Sequence, residues 1–215
     1  MRRISFSLDS LDRANFQKIT GRDGLGEVLA GIRLAIELEM NPVKVNAVII
    51  KGVNDHEIEA LAEFGHEHGL SMRFIEFMPL DSARAWLKEL VMPSREILNR
   101  LQSRFELLPQ ASLNTSETAR RWTFADRRGE IGLIAPVSEP FCGHCNRLRL
   151  TADGQLRTCL FSVTEHDVRS RLRDETSDND LKRFLGGVVL QKEARHHIGE
   201  PEFVPPSRSM SCIGG

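Results

Sequence analysis

From Arg3 to Phe77 the apolar residues switch between the period of a strand and the period of a helix, and this constrains the fold more than any other feature of the chain. Arg3 to Leu8 alternates apolar and polar residues as a strand does. Leu25, Val28, Leu29, Ile32 and Ile36 then keep helical spacing across 25–40, and Pro42 ends that helix. Val43 to Ile50 reads as a second strand. Asn54 with Glu57 three residues on reads as a capped start for a helix carrying Ile58, Leu61 and Ala62. Met72 to Phe77 is a third strand. Strand, helix, strand, helix, strand is the rhythm of a parallel sheet with crossover helices. A parallel sheet is covered on both faces, and a complete eight-stranded barrel takes about 250 residues. Three strands are too few, so the expectation is that the chain enters mid-fold and lacks earlier βα units.

After Leu80 the rhythm stops. Ser94 is placed to cap a helix with Ile97, Leu98, Leu101 and Phe105, and the polar stretch from Gln110 to Arg121 reads as a loop. Strand-like segments follow at 122–124, 129–135, 146–151 and 155–161, then helical patterns from about Thr164 and Ser177. This half reads as α+β.

Four cysteines are too few for a disulfide scaffold, and in a reducing compartment a close pair points to metal. Cys142-Gly-His-Cys145 followed by Cys159 is a C-x2-C-x13-C pattern. Three thiolates fit a four-iron cluster with one open iron. They also fit a zinc knuckle, with His144 or Cys212 as fourth ligand, and spacing alone leaves both readings open. Arg147 and Arg149 lie two and four residues beyond Cys145 on one strand face, and two guanidinium groups there suit an anionic or purine ligand. A three-residue loop Ala152-Asp153-Gly154, with Gly154 left-handed, would pair Arg147 with Cys159 and put both arginines on its face. A two-residue turn would flip them away.

Lys44 and Arg73 are charges on strands otherwise apolar, which leaves an ion pair with Glu76 or Asp9, or contact with a ligand. No P-loop occurs, Gly24-Leu-Gly26 misses the full dinucleotide fingerprint, and His66, His68, His196 and His197 receive no role. Twenty-nine basic residues against thirty acidic ones give no argument for nucleic acid, and no apolar run approaches the length of a membrane span. The expected compartment is the cytoplasm.

Ser7-Leu-Asp-Ser-Leu-Asp12, Lys44-Val-Asn-Ala-Val-Ile-Ile-Lys-Gly-Val-Asn54, Arg73-Phe-Ile-Glu-Phe-Met78-Pro, the cysteine pattern with Asn146-Arg-Leu-Arg149-Leu, and Ile213-Gly-Gly215 together resemble the GTP 3′,8-cyclase family of molybdenum cofactor biosynthesis. The resemblance implies an α/β fold: a partial (β/α) barrel of the radical SAM type over residues 1–108, then an α+β region over 109–215 with an iron–sulfur site. It implies a 4Fe-4S cluster on Cys142, Cys145 and Cys159 at which GTP binds. By the same carry-over Ser7 and Met78 would contact S-adenosylmethionine, Lys44, Arg73, Arg147 and Arg149 would contact GTP, and Gly214-Gly215 would reach into the active site. The family abstracts the ribose C3′ hydrogen with a 5′-deoxyadenosyl radical and closes C3′ onto guanine C8, giving 3′,8-cyclo-7,8-dihydro-GTP. A homodimer, and transfer of product to cyclic pyranopterin monophosphate synthase, are implied too. The family's radical cluster needs C-x3-C-x2-C, which these residues lack, so the expectation is a truncated form inactive alone.

Overall fold

The computed structural model describes residues 2–80 and 85–213. The chain divides into two compact units, one of Met1–Phe77 with Lys88–Glu139 and one of Met78–Leu87 with Pro140–Gly215.

The first unit holds β1 (Ile4–Ser7), α1 (Arg13–Thr20), α2 (Leu25–Glu37), β2 (Val43–Ile49), α3 (Ile58–Glu67), β3 (Ser71–Glu76), α4 (Ser94–Arg104), β4 (Leu107–Gln110), β5 (Arg120–Phe124) and β6 (Glu130–Ile134). They form one six-stranded sheet in the order β1-β2-β3-β6-β5-β4. β1, β2, β3 and β6 run parallel, and β5 and β4 continue antiparallel. The sheet therefore extends beyond residue 108, and the compact units part at Glu139.

The alternation along each strand decides what each face does. In β2, Val43, Val45, Ala47 and Ile49 are buried while Lys44, Asn46 and Val48 between them are only half-buried. Val45, Met72 and Ile131 share a row through the register, and they pack with Ile32, Ile58, Leu61, Ile97 and Leu101 from the helices into one core. Each such side chain contributes about 1.5–3 kcal/mol on full burial. The other face is polar. Lys44, Ser71 and Glu130 form one row, and Ser7, Asn46, Arg73, Gly132 and Arg121 form the next. Parallel strands buried on both faces would have lost this alternation.

Three local expectations are corrected. Asn54 makes no capping bond to the helix: its Oδ1 accepts from the Ile50 N–H (2.7 Å), and its Nδ2 donates to the carbonyls of Asp9 (2.7 Å) and Val48 (2.8 Å). A buried side chain with two donors and an acceptor serves the strand ends better than a helix that begins with a short 3₁₀ turn at Asp55–Glu57. Ser94 is the first residue of α4, with Pro93 as its cap, and its N–H donates to Glu76 Oε1 (2.8 Å). Helix α1 has no counterpart in the sequence reading. Asp12 caps it by accepting from the Asn15 N–H (2.7 Å), but Phe16 is its one buried residue, too few to show a period.

The second unit contains β7 (Arg149–Leu150), β8 (Gln155–Arg157), β9 (His166–Asp167), α5 (Val168–Arg173) and α6 (Asp178–Leu190), with a sheet in the order β7-β8-β9. Its core is small: Leu156, Val168 and Val188, with Leu181, Phe184 and Leu185 against them. α5 starts at Val168, later than the expected start near Thr164, because the chain first adds β9 to the sheet; Asp167 caps it, and Ser177 caps α6. Among the described residues no helix is long and apolar enough to cross a membrane.

Candidate functional site

The polar face of the first unit's sheet opens a cleft of about 470 Å³ lined by Lys44, Ser71, Arg73, Glu117, Arg121 and Glu130, among others. Four cations (Lys44, Arg73, Arg121 and Arg127) face two carboxylates there. Burial lowers the pKa of Arg73 and of Lys44, and for Lys44 the neighbouring Arg73 adds to the effect. Arg73 Nε is buried with no hydrogen-bond partner among the described residues. Gly132 opposite it is what lets the stem lie flat: a Cβ there would sit 3.2 Å from Arg73 Cγ.

The carboxylates weighed as structural partners for these cations are engaged elsewhere. Glu76 is fully buried and accepts from the N–H groups of Ser94 (2.8 Å), Val137 (2.9 Å) and Ser138 (2.8 Å) and from the Ser138 hydroxyl. Asp9 accepts from the Val48 N–H (2.7 Å), and burial nevertheless raises its pKa. Ser7 ends β1 on the cleft face, exposed, in the same row as Asn46 and Arg73. All of these lie in the first unit.

In the second unit the cysteine hairpin takes the three-residue register. Thr151 and Gln155 close the loop, with the Thr151 N–H donating to the Gln155 carbonyl (2.9 Å), and Gly154 is left-handed at φ +83°. Arg149 pairs with Arg157 and Leu150 with Leu156, where the ladder ends, and Arg149 lies close enough to Cys159 and Cys145 to feel both sulfurs electrostatically. Cys142–His144 makes a 3₁₀ turn, closed by the Cys145 N–H donating to the Cys142 carbonyl (3.0 Å).

Nitrogen donors surround the sulfurs. Arg147 Nη2 lies 3.3 Å from Cys145 Sγ, and the Phe161 N–H donates to Cys159 Sγ (3.5 Å). Burial works to raise the Cys145 pKa, but the hydrogen bonds and charge of Arg147 outweigh it and the net shift is downward. Burial pushes the Cys159 thiol up. Arg149 is held below its ordinary value, first by burial and then by Arg147 beside it. Sequence reasoning missed Lys192, whose Nζ donates to the carbonyls of Arg147 (3.0 Å) and Thr158 and so ties the two arms of the hairpin. It also missed Glu193, which accepts from the Thr158 hydroxyl (2.6 Å). Both sit at a helix end where a charged residue carries no sequence signal. Met78 is half-buried beyond β3, in the second unit, and Gly214 and Gly215 lie outside the described residues.

Comparison with known proteins divides the chain in sequence inside its first unit, between Lys44 and the other cations of the cleft. A Radical SAM superfamily model matches residues 1–65, and a Molybdenum Cofactor Synthesis C model matches residues 70–198. GTP 3′,8-cyclase of Corynebacterium glutamicum strain R is 41% identical over 99% of this chain and 58% of its own length. The GTP 3′,8-cyclases of Rhodopirellula baltica and Mycolicibacterium smegmatis are each 43% identical over 100% of this chain and 61% of their own. The chain belongs to the GTP 3′,8-cyclase family. It spans about three-fifths of the length of the curated relatives it matches.

Membership in this radical SAM family of molybdenum cofactor biosynthesis brings with it iron–sulfur and S-adenosylmethionine chemistry. The donor set of the hairpin fits a thiolate-held cluster: three free, half-buried cysteines, with N–H donors on two of the sulfurs. Among the described residues no three His, Cys, Asp or Glu side chains converge on a single ion. Cluster cysteines each ligate a different iron and need no such convergence.

Proposed function

We propose that these residues form the GTP-binding part of a GTP 3′,8-cyclase, with the substrate held at a 4Fe-4S cluster on Cys142, Cys145 and Cys159. The observation that supports the reading is the closeness of two arginines to the thiols, Arg147 to Cys145 and Arg149 to Cys145 and Cys159, within a chain of this family. Cys142, Cys145 and Cys159 would hold the cluster, which when bound would supply an iron with an open coordination position for the nucleotide, and S-adenosylmethionine would supply the family's radical chemistry.

The chain's own residues bind and orient. Arg147 and Arg149 present guanidinium forks to the nucleotide, and the Arg147 and Phe161 N–H groups hold the Cys145 and Cys159 sulfurs as good acceptors. Lys44 and Arg73 take phosphate on the sheet face, where partial burial strengthens each charge–charge contact. Ser7 and Met78 contact S-adenosylmethionine, and Gly214-Gly215 lets backbone approach the substrate closely. The fold belonging to this function is a partial (β/α) barrel of which β1, β2 and β3 are members, with residues 109–215 supplying the cluster and GTP contacts. The C-x3-C-x2-C of the radical cluster is not among these residues, so cyclisation by these 215 residues alone is not expected. The complete enzyme of which these residues are part would act in the cytoplasm as a dimer and pass its product to cyclic pyranopterin monophosphate synthase.

Equilibrium dialysis against GTP after anaerobic cluster reconstitution tests the reading. Replacing Arg147 and Arg149 together by Ala should weaken binding by about 100-fold, as two charge-assisted contacts are lost. Unchanged affinity in that variant, with the cluster intact, would refute the assignment.

A further inference from the structure

Lys44 and Arg73 share their cleft with two carboxylates, yet neither cation is paired with them among the described ion pairs. The reason is a third cation. Arg121 Nε lies 2.8 Å from Glu117 Oε1, an ion-pair contact whose N–H is not aligned for a hydrogen bond. Its Nη1 lies 3.3 Å from Glu130 Oε2, and its Nη2 donates to the Ala111 carbonyl (3.0 Å). The second oxygen of Glu130 accepts from the Ser71 hydroxyl (2.5 Å). The Arg121 side chain is only 10% exposed and that of Glu117 13%, so the contact is shielded from water.

The sheet register explains how one residue reaches both acids. Arg121 sits opposite Gly132, and Gly132 opposite Arg73, so the two arginines share a face with only a glycine between them. Glu130 stands in the adjacent row with Lys44 and Ser71. Were Arg121 uncharged, Glu117 and Glu130 would be left facing Arg73 and Lys44. In a partly buried cleft those carboxylates would pair with the cations and compete with any anionic ligand.

We propose that Arg121 is a positioning residue that keeps Glu117 and Glu130 engaged, so that Lys44 and Arg73 stay open to a phosphate group and the cleft selects an oligophosphate over its nucleoside. The inference rests on the GTP reading given above. It is tested on the full chain with its cluster reconstituted, by equilibrium dialysis against GTP and against guanosine at one ionic strength. Arg121→Gln should weaken GTP binding about tenfold and leave guanosine unchanged, the loss expected for one charge-assisted contact. Adding Glu117→Gln and Glu130→Gln to that variant should restore GTP affinity, a rescue that a merely structural role would not give. Glu130→Gln alone should leave GTP binding within about twofold of the parent, because Arg121 already holds that carboxylate. A triple variant as weak as Arg121→Gln would mean that Arg121 itself contacts phosphate, and would overturn the proposal, as would unchanged GTP affinity in Arg121→Gln. If Arg121→Gln does not fold, the triple variant alone decides: GTP affinity near the parent's is expected, and a loss of about tenfold overturns the proposal. Lys44→Ala and Arg73→Ala separate the two readings. Loss of GTP affinity in them with none in Arg121→Gln sinks this inference alone, whereas no loss in them sinks the phosphate assignment on which it stands.

Discussion

Glu57 shows how much one side chain can organise here. Its carboxylate accepts from the Ser10 hydroxyl (2.7 Å), the N–H groups of Leu11 (2.7 Å) and Asp12 (3.2 Å), and the Asn15 amide (2.7 Å). Burial works to raise its pKa, but these four donors outweigh it and the carboxyl titrates below its ordinary 4.5. A carboxylate with a depressed folded pKa adds stability above its unfolded pKa and loses it as pH falls through the folded value. Thermal unfolding followed between pH 7 and pH 3 should therefore show Tm falling below about pH 4.5 in the parent chain, and less steeply in Glu57→Gln. Glu57→Ala should lose about 2–4 kcal/mol at pH 7, because it strands several buried donors at once. The sequence carried part of this residue's role. Its spacing from Asn54 marked it as a partner in a local bond, but the donors it meets lie more than forty positions away, and no local pattern reports them.

At the scale of elements, legibility follows period. β1, β2, β3 and the helices α2 and α3 were readable because alternating or helical apolar positions run through them, and Leu61 and Ile32 are fully buried as that reading requires. The polar face was legible only as an oddity at Lys44 and Arg73; that Arg121 joins them depends on β5 pairing with β6, a contact the sequence does not encode locally. The hairpin was readable through Asp153-Gly154, but its register was not: a two-residue and a three-residue turn both fit, and the Thr151–Gln155 closure decides for the longer one. A Cβ at Gly154 would also meet Arg169 Cβ at 2.5 Å. Gly154→Ala should therefore destabilise the second unit by about 2–4 kcal/mol, from left-handed strain and overpacking together. Chemical denaturation checks this, and a loss below 0.5 kcal/mol would mean the loop adopts another turn.

For the molecule as a whole, the two units carry two kinds of chemistry: cations on a half-covered parallel sheet in one, and thiols flanked by arginines on a hairpin in the other. Family membership joins them in one pathway, while the three-fifths span of the relatives leaves the radical-forming motif outside these residues. The central claim is that the three cysteines hold a cluster. Metal analysis after anaerobic reconstitution addresses it most directly, with Cys159→Ala as control. The account predicts about four irons per chain, bound through the thiolates and lost in Cys159→Ala; stoichiometric zinc with no uptake of iron would contradict it.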